Sequence, residues 1–166
     1  MTTAPPGLTV GYVWSRALSS QVIEYREAGG PSHATTLVAP GYVIDARLSG
    51  GVARRPVSYL AGQPMRWFRV PATDAQVKAT IDFLKTQCGQ RYDWLDIIAF
   101  AIPPMFKHLS GATHPWMCSY LQGGAEIHGG VLPKLARPTE KLDPNDMLIA
   151  NSAQRGCVEL PGPIFA

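Results

Sequence analysis

Three side chains of this 166-residue chain have the types and settings that covalent catalysis by a thiol requires, namely Cys118, His33 and Asp45. Cys118 falls in Pro115-Trp116-Met117-Cys118-Ser119-Tyr120, where a helix is expected to begin. A thiol there faces backbone N–H groups without intrahelical partners and the positive end of the helix dipole, and both favour the thiolate. The same N–H groups point to where the oxyanion of a tetrahedral intermediate would form. Because a cysteine is more often a small buried hydrophobe, the expectation depends on a base. His33 opens a strand directly after Gly29-Gly30-Pro31-Ser32, a place where a side chain is held rigidly at the end of a sheet. Asp45 follows on the strand expected to pair with that of His33, beside the apolar Tyr42-Val43-Ile44, and can orient the imidazole across the turn. Alone, His33 reads as a polar strand end and Asp45 as an exposed strand position; the triplet outweighs its parts.

The remaining candidates lack this setting. Cys88, at the end of an amphipathic helix, and Cys157, near the tail, read as structural. His108, His114 and His128 read as loop or surface residues, and their spacings to one another and to Cys118 match no zinc motif. No metal is expected, and thiol chemistry calls for no organic cofactor.

The elements that must position the triplet are those of an α+β domain. Strands are expected over residues 8–14, 34–38, 42–46, 52–57 and 65–70, with turns at Pro40-Gly41 and Gly50-Gly51. Successive strands of this kind favour an antiparallel sheet. A short helix is expected over 19–25. A longer one begins at Thr73-Asp74-Ala75-Gln76, which fits a capping box, and ends at Gly89. Further helices are expected over 92–101 and from 115–118 to Gly129-Gly130, the latter weakened by Gly123-Gly124 unless close packing needs small residues. The tail segments 146–150 and 156–160 read as one or two late strands.

Composition narrows the function classes. Hydrophobic residues make up 46% and charged ones 16%, as in a compact single domain. A net charge of +3 with small basic clusters is no nucleic-acid stripe, and Arg66-Trp67-Phe68-Arg69 reads as a half-buried strand. Three cysteines without close pairing argue against a disulfide framework. Residues 1–8 lack the basic and apolar runs of a secretory signal, and the most apolar stretch, 94–106, is too short to span a bilayer. A soluble protein is expected, cytoplasmic or exported by a route not visible in the sequence.

The segments Pro31-Ser32-His33-Ala34-Thr35-Thr36, Val43-Ile44-Asp45-Ala46-Arg47, Gly50-Gly51-Val52, Gly89-Gln90-Arg91-Tyr92-Asp93 and Trp116-Met117-Cys118-Ser119-Tyr120-Leu121 together resemble the circularly permuted NlpC-type papain-like cysteine peptidase superfamily. In that superfamily the His-bearing strands precede the Cys-bearing helix. The resemblance spans residues 10–152 and includes Leu142-Asp143-Pro144-Asn145-Asp146-Met147, which is similar to the family's closing strand. It implies one permuted papain-like domain over residues 1–166, an antiparallel sheet packed against helices, with Cys118 as nucleophile, His33 as base and Asp45 at the third polar position. Tyr92-Asp93 matches a recurrent structural or cleft-lining element. Family members often carry Glu or another polar group at the third position and commonly Cys-Ser-Glu-Leu at the nucleophile, where this chain has Cys118-Ser119-Tyr120-Leu121.

The activity implied is that of a cysteine peptidase or amidase acting through a Cys118 thioester on a peptide or amide, with peptidoglycan stem peptides as the first-choice class. Two alternatives accompany it: a lipid acyltransferase or thioesterase of the same fold, and a non-catalytic peptide- or lipid-binding module. An apolar approach for lipid could come from Trp94, Ile97, Ile98, Phe100 and Ile102, though their helical spacing reads as core.

Overall fold

The structure, a computed structural model, describes residues 6–15, 29–91, 117–134 and 142–161. The described elements are β1 (Gly7–Val13), β2 (His33–Ala39), β3 (Tyr42–Arg47), β4 (Gly51–Pro56), a one-turn 3-10 helix (Val57–Leu60), β5 (Met65–Pro71), α1 (Asp74–Gln87), α2 (Cys118–His128), α3 (Pro144–Ser152) and β6 (Val158–Leu160). The strands form one sheet in the order β4-β3-β2-β1-β5-β6, every neighbouring pair antiparallel. The α+β class and the antiparallel strand succession expected from the sequence are both present. The helices expected over 19–25 and 92–101, and the histidines at 108 and 114, lie outside the described residues.

Strand alternation divides the side chains between two faces. One carries Leu8, Val10, Tyr12, Ala34, Phe68 and Val70, continued by Ile44, Ala46 and Val52, and it is covered by the helices through Leu84, Leu121, Ala125 and Met147. The other carries Val13, Val43 and Trp67, packed against Val57 and Leu60 of the 3-10 turn. In β5, Trp67 and Phe68 are buried on opposite faces, while Arg66 bonds Glu159 of β6 and Arg69 bonds the Gly7 carbonyl. The Arg-Trp-Phe-Arg run is therefore a strand, as its alternation indicated.

The outer edge of β4 is closed by the chain that leaves α1. Val52 donates its N–H to the Gln90 carbonyl at 2.9 Å and accepts from Gly89 at 2.9 Å. Gly51 makes this approach possible: it has φ +59°, and a Cβ there would lie 2.2 Å from the Gln90 oxygen. With Pro56 offering no N–H at the far end of the strand, little of this edge is left to pair with another chain.

The helices follow their caps. Thr73 and Gln76 form the expected capping box on α1. In α2, Gly123 lets the ends of the Leu142 and Met147 side chains pack closely, since a Cβ would sit 2.8 Å from Leu142 and 3.0 Å from Met147. Residues 146–150 are a correction. They lie inside α3 and form no strand, and the 142–147 segment that resembles a closing strand is the start of this helix. Asp143 accepts from the Asp146 N–H at 2.6 Å in a second capping box with Pro144 in the first turn, and Met147 and Asn151, four apart, face inward. Val158–Leu160 remains the one late strand. Among the described residues no helix is long and apolar enough to cross a membrane.

Beneath α2 lies a buried polar group made by Tyr12, Gln122, Glu126 and Asn151. Glu126 Oε1 accepts from Gln122 at 2.8 Å and from Asn151 at 3.1 Å, and both amides also donate to the Tyr12 hydroxyl. Among the described residues Glu126 has no cationic partner there, and burial pushes its carboxyl up to about 7. The folded protein thus keeps a proton that the unfolded chain releases near pH 4.5, so stability declines as pH rises from there to about 7. Glu126→Gln, which keeps the volume and the acceptor, is expected to match the wild type near pH 4.5 and to exceed it by roughly 3 kcal/mol at pH 8 in urea unfolding. An equal loss at both pH values would show that the carboxylate is ionised and needed in that form.

Candidate active site

The approach to β2 is pinned before His33 is reached. Ser32 donates its N–H to the Val13 carbonyl at 3.0 Å, and its hydroxyl accepts from the Ser15 N–H at 2.9 Å. Gly30 rests against Asn145 of α3, where a Cβ would come within 2.9 Å of the side chain. His33 pairs with Val13 across β1–β2 and is buried. The rigid strand start expected for this histidine is what the fold provides.

Asp45 comes to His33 by sheet register. Thr36 faces Ile44 in β2–β3, so the next pair inward sets Asp45 beside Thr35, and His33, two residues earlier, lies diagonally on the same face. The imidazole Nε2 and Asp45 Oδ2 are 2.7 Å apart, and the Asp45 side chain has no exposed surface. Two further donors meet this carboxylate. Arg55 donates Nη1 to Oδ1 at 2.5 Å, and the Tyr59 hydroxyl bonds Oδ2.

Neither Arg55 nor Tyr59 was singled out by sequence. Asp45 faces Ala53 in β3–β4, which places Arg55 diagonally on the same face as the carboxylate. Strand alternation contains that signal once the pairing is known. Tyr59 arrives from the 3-10 turn, whose geometry leaves no periodic trace.

Cys118 is the first residue of α2 and is buried. Met117, extended, is its N-cap and supplies no side-chain cap to the first turn. Ser119 fastens this helix start by donating to the Leu142 carbonyl at 2.7 Å, while Leu121 and Ala125 pack on Ile44 and Ala46 of β3. The thiol acts on the His33 imidazole through both charge and a hydrogen bond. Since Nε2 is occupied by Asp45, Nδ1 is the ring nitrogen left for sulfur.

All three residues expected from the sequence are therefore brought together. Cys88 and Cys157 take no part; all three cysteines are free, and Cys88 is exposed. His128 ends α2 on the surface, its ring 4.8 Å from that of Phe83. Among the described residues no cluster of His, Cys, Asp and Glu could hold a metal ion.

Opposed forces set the charge states. Burial pulls the His33 imidazole down, but the Cys118 charge and then the Asp45 hydrogen bond and charge outweigh it, raising the imidazole to about 9. Burial pushes the Asp45 carboxyl up, and it is outweighed by His33, Tyr59 and Arg55, which hold it below the usual carboxylate range. Burial and then the Asp45 charge raise the Tyr59 hydroxyl, so it stays a donor. At neutral pH, His33 is an imidazolium against an ionised Asp45.

Comparison with protein-family models and with curated proteins gives no match.

Asp45→Asn removes a charge that holds the proton on His33 while keeping an acceptor. The His33 titration followed by NMR is expected to fall by about one to two units from its wild-type value. An unchanged titration would mean that Asp45 contributes no field at the imidazole.

Proposed function

We propose that the protein is a circularly permuted papain-like cysteine hydrolase that cleaves an amide or peptide bond, with cell-wall stem peptides as its substrate class. The observation that carries this reading is the placement of one imidazole between a buried carboxylate and the thiol at a helix start. The chain order supports it as well, because the strands bearing His33 and Asp45 precede the helix bearing Cys118.

The chemistry follows from the geometry. With the proton on His33, the Cys118 thiolate attacks the substrate carbonyl carbon, and the oxygen takes up the negative charge. We assign the N–H of Cys118, the first residue of α2, as a donor to it. His33 gives its proton to the leaving amine as the C–N bond breaks, leaving an acyl thioester. Water then attacks the thioester while His33 accepts its proton, and the acid and the thiol pair are released. Asp45 holds the ring by Nε2 throughout, which leaves Nδ1 for the sulfur and the leaving group.

Alkylation with iodoacetamide, read by peptide mass spectrometry, tests the nucleophile and base. Exposure alone ranks Cys88 above Cys118, which is only 2% exposed. The expected order is the reverse, with Cys118 modified about tenfold faster or more and the advantage lost in His33→Ala. Hydrolysis of purified stem peptides is expected to fall by at least about a thousandfold in Cys118→Ser. A Cys118 that reacts no faster than Cys88 and ignores His33 would remove the hydrolase reading and leave a binding module.

A further inference from the structure

Asp45 holds more donors than orienting His33 requires. Three groups from three elements converge on its carboxylate: His33 from β2, Arg55 from β4 and Tyr59 from the 3-10 turn. Arg55 is itself locked in place, since Nη1 also reaches the carbonyls of Asp45 at 3.1 Å and Ala53 at 3.2 Å, and Nη2 reaches that of Gly51 at 3.0 Å. The ring of Tyr59 is backed by the Arg47 guanidinium, 4.9 Å from its centroid. Tyr59 shares Oδ2 with His33, so its proton competes directly for the electron density that binds the imidazole.

We propose that Arg55 and Tyr59 are positioning residues that divide the Asp45 carboxylate with His33 and so weaken its hold on the imidazole proton. This rests on the reading of His33 as the base of Cys118. A lone buried carboxylate beside an imidazolium in low dielectric would trap the proton, and the leaving amine could not collect it. Arg55 cancels the charge of Asp45 across Oδ1, and Tyr59 takes part of Oδ2. Asp45 then holds the imidazole proton less tightly than a lone carboxylate would, while its ionised form secures the strands on either side. Among the described residues, the charged and titratable groups bearing on His33 are Cys118 from α2 and Asp45 from β3, with Arg55 and Tyr59 acting through Asp45 and Arg47 through Tyr59.

The titration of His33 by NMR in Arg55→Gln, Arg55→Lys and Tyr59→Phe tests this. Arg55→Gln is expected to raise the His33 titration by about one unit, Tyr59→Phe to raise it by less, and Arg55→Lys to stay nearer the wild type. Where Arg55→Gln fails to fold, Tyr59→Phe decides, because it removes one oxygen and leaves every charge in place. A folded Tyr59→Phe or Arg55→Gln protein whose His33 titrates as in the wild type, or lower, overturns the proposal. The readout needs no turnover: a raised titration with an inert Cys118 keeps the division of Asp45 and removes the hydrolase, whereas a reactive Cys118 with an unmoved titration does the opposite.

Discussion

A carboxylate with no exposed side-chain surface is the constraint on which the site depends. Taking such an ion out of water costs several kcal/mol even after relaxation, and Asp45 remains ionised only because donors from β2, β4 and the 3-10 turn converge on it. Removing one donor leaves a buried charge under-compensated, so the three elements are bound in one arrangement. Strand register is part of the same constraint. A slip of one residue in β2 or β4 against β3 would turn His33 or Arg55 to the opposite face, and the carboxylate would lose a partner while the helix-facing side chains lost their burial.

The helical layer solves a different problem, which is to bring one sulfur to one imidazole. Cys118 can arrive only if α2 begins at a fixed point, and that point is held by Ser119 on Leu142, by Leu121 and Ala125 on β3, and by the close contact of Gly123 with Leu142 and Met147. Eight residues beyond Cys118, on the same helix, Glu126 is as deeply buried as Asp45, and its protonation is shifted the other way. Depth of burial therefore does not decide which carboxyl is ionised. Asp45 faces a guanidinium and an imidazolium, whereas Glu126 faces two amides and a phenol. The cation-matched carboxylate lies beside the imidazole, and the amide-matched one belongs to the scaffold beneath α2.

Much of this was legible in the sequence where local rules apply. The strand succession, the Thr73 capping box, the start of α2 and the candidate triplet all rest on periodicity, cap chemistry or short-range turns. The misreading of 146–150 has a local cause as well: Met147-Leu148-Ile149-Ala150 is uniformly apolar enough to pass for a strand, and the helix declares itself only through Asp143-Pro144 and Asp146 at its start. Arg55 and Tyr59 were hidden for another reason. A residue's partner across a sheet depends on register, and a sequence states register only when the pairing and its bulge, here between Leu37 and Ala39, are known. Glu126 was hidden likewise, since its neighbours Tyr12 and Asn151 lie 114 positions before it and 25 after, on other elements.

An aspartate at position 45, rather than an amide, has a consequence for the whole charge array. Cys118, His33, Asp45 and Arg55 form a line in which neighbours carry opposite signs when the proton rests on the imidazole. With the proton on sulfur, the first two are neutral and the second two still cancel. The sum is zero in both states, so moving the proton redistributes charge inside a buried site without creating a net ion there, and the desolvation cost that a lone charge would incur on each transfer does not arise. An amide at position 45 would allow the same proton movement, but it would leave the half-buried Arg55 as an uncompensated cation facing that amide. Asp45 and Arg55 are thus a matched pair, and a substitution at either residue is electrostatically a change at both.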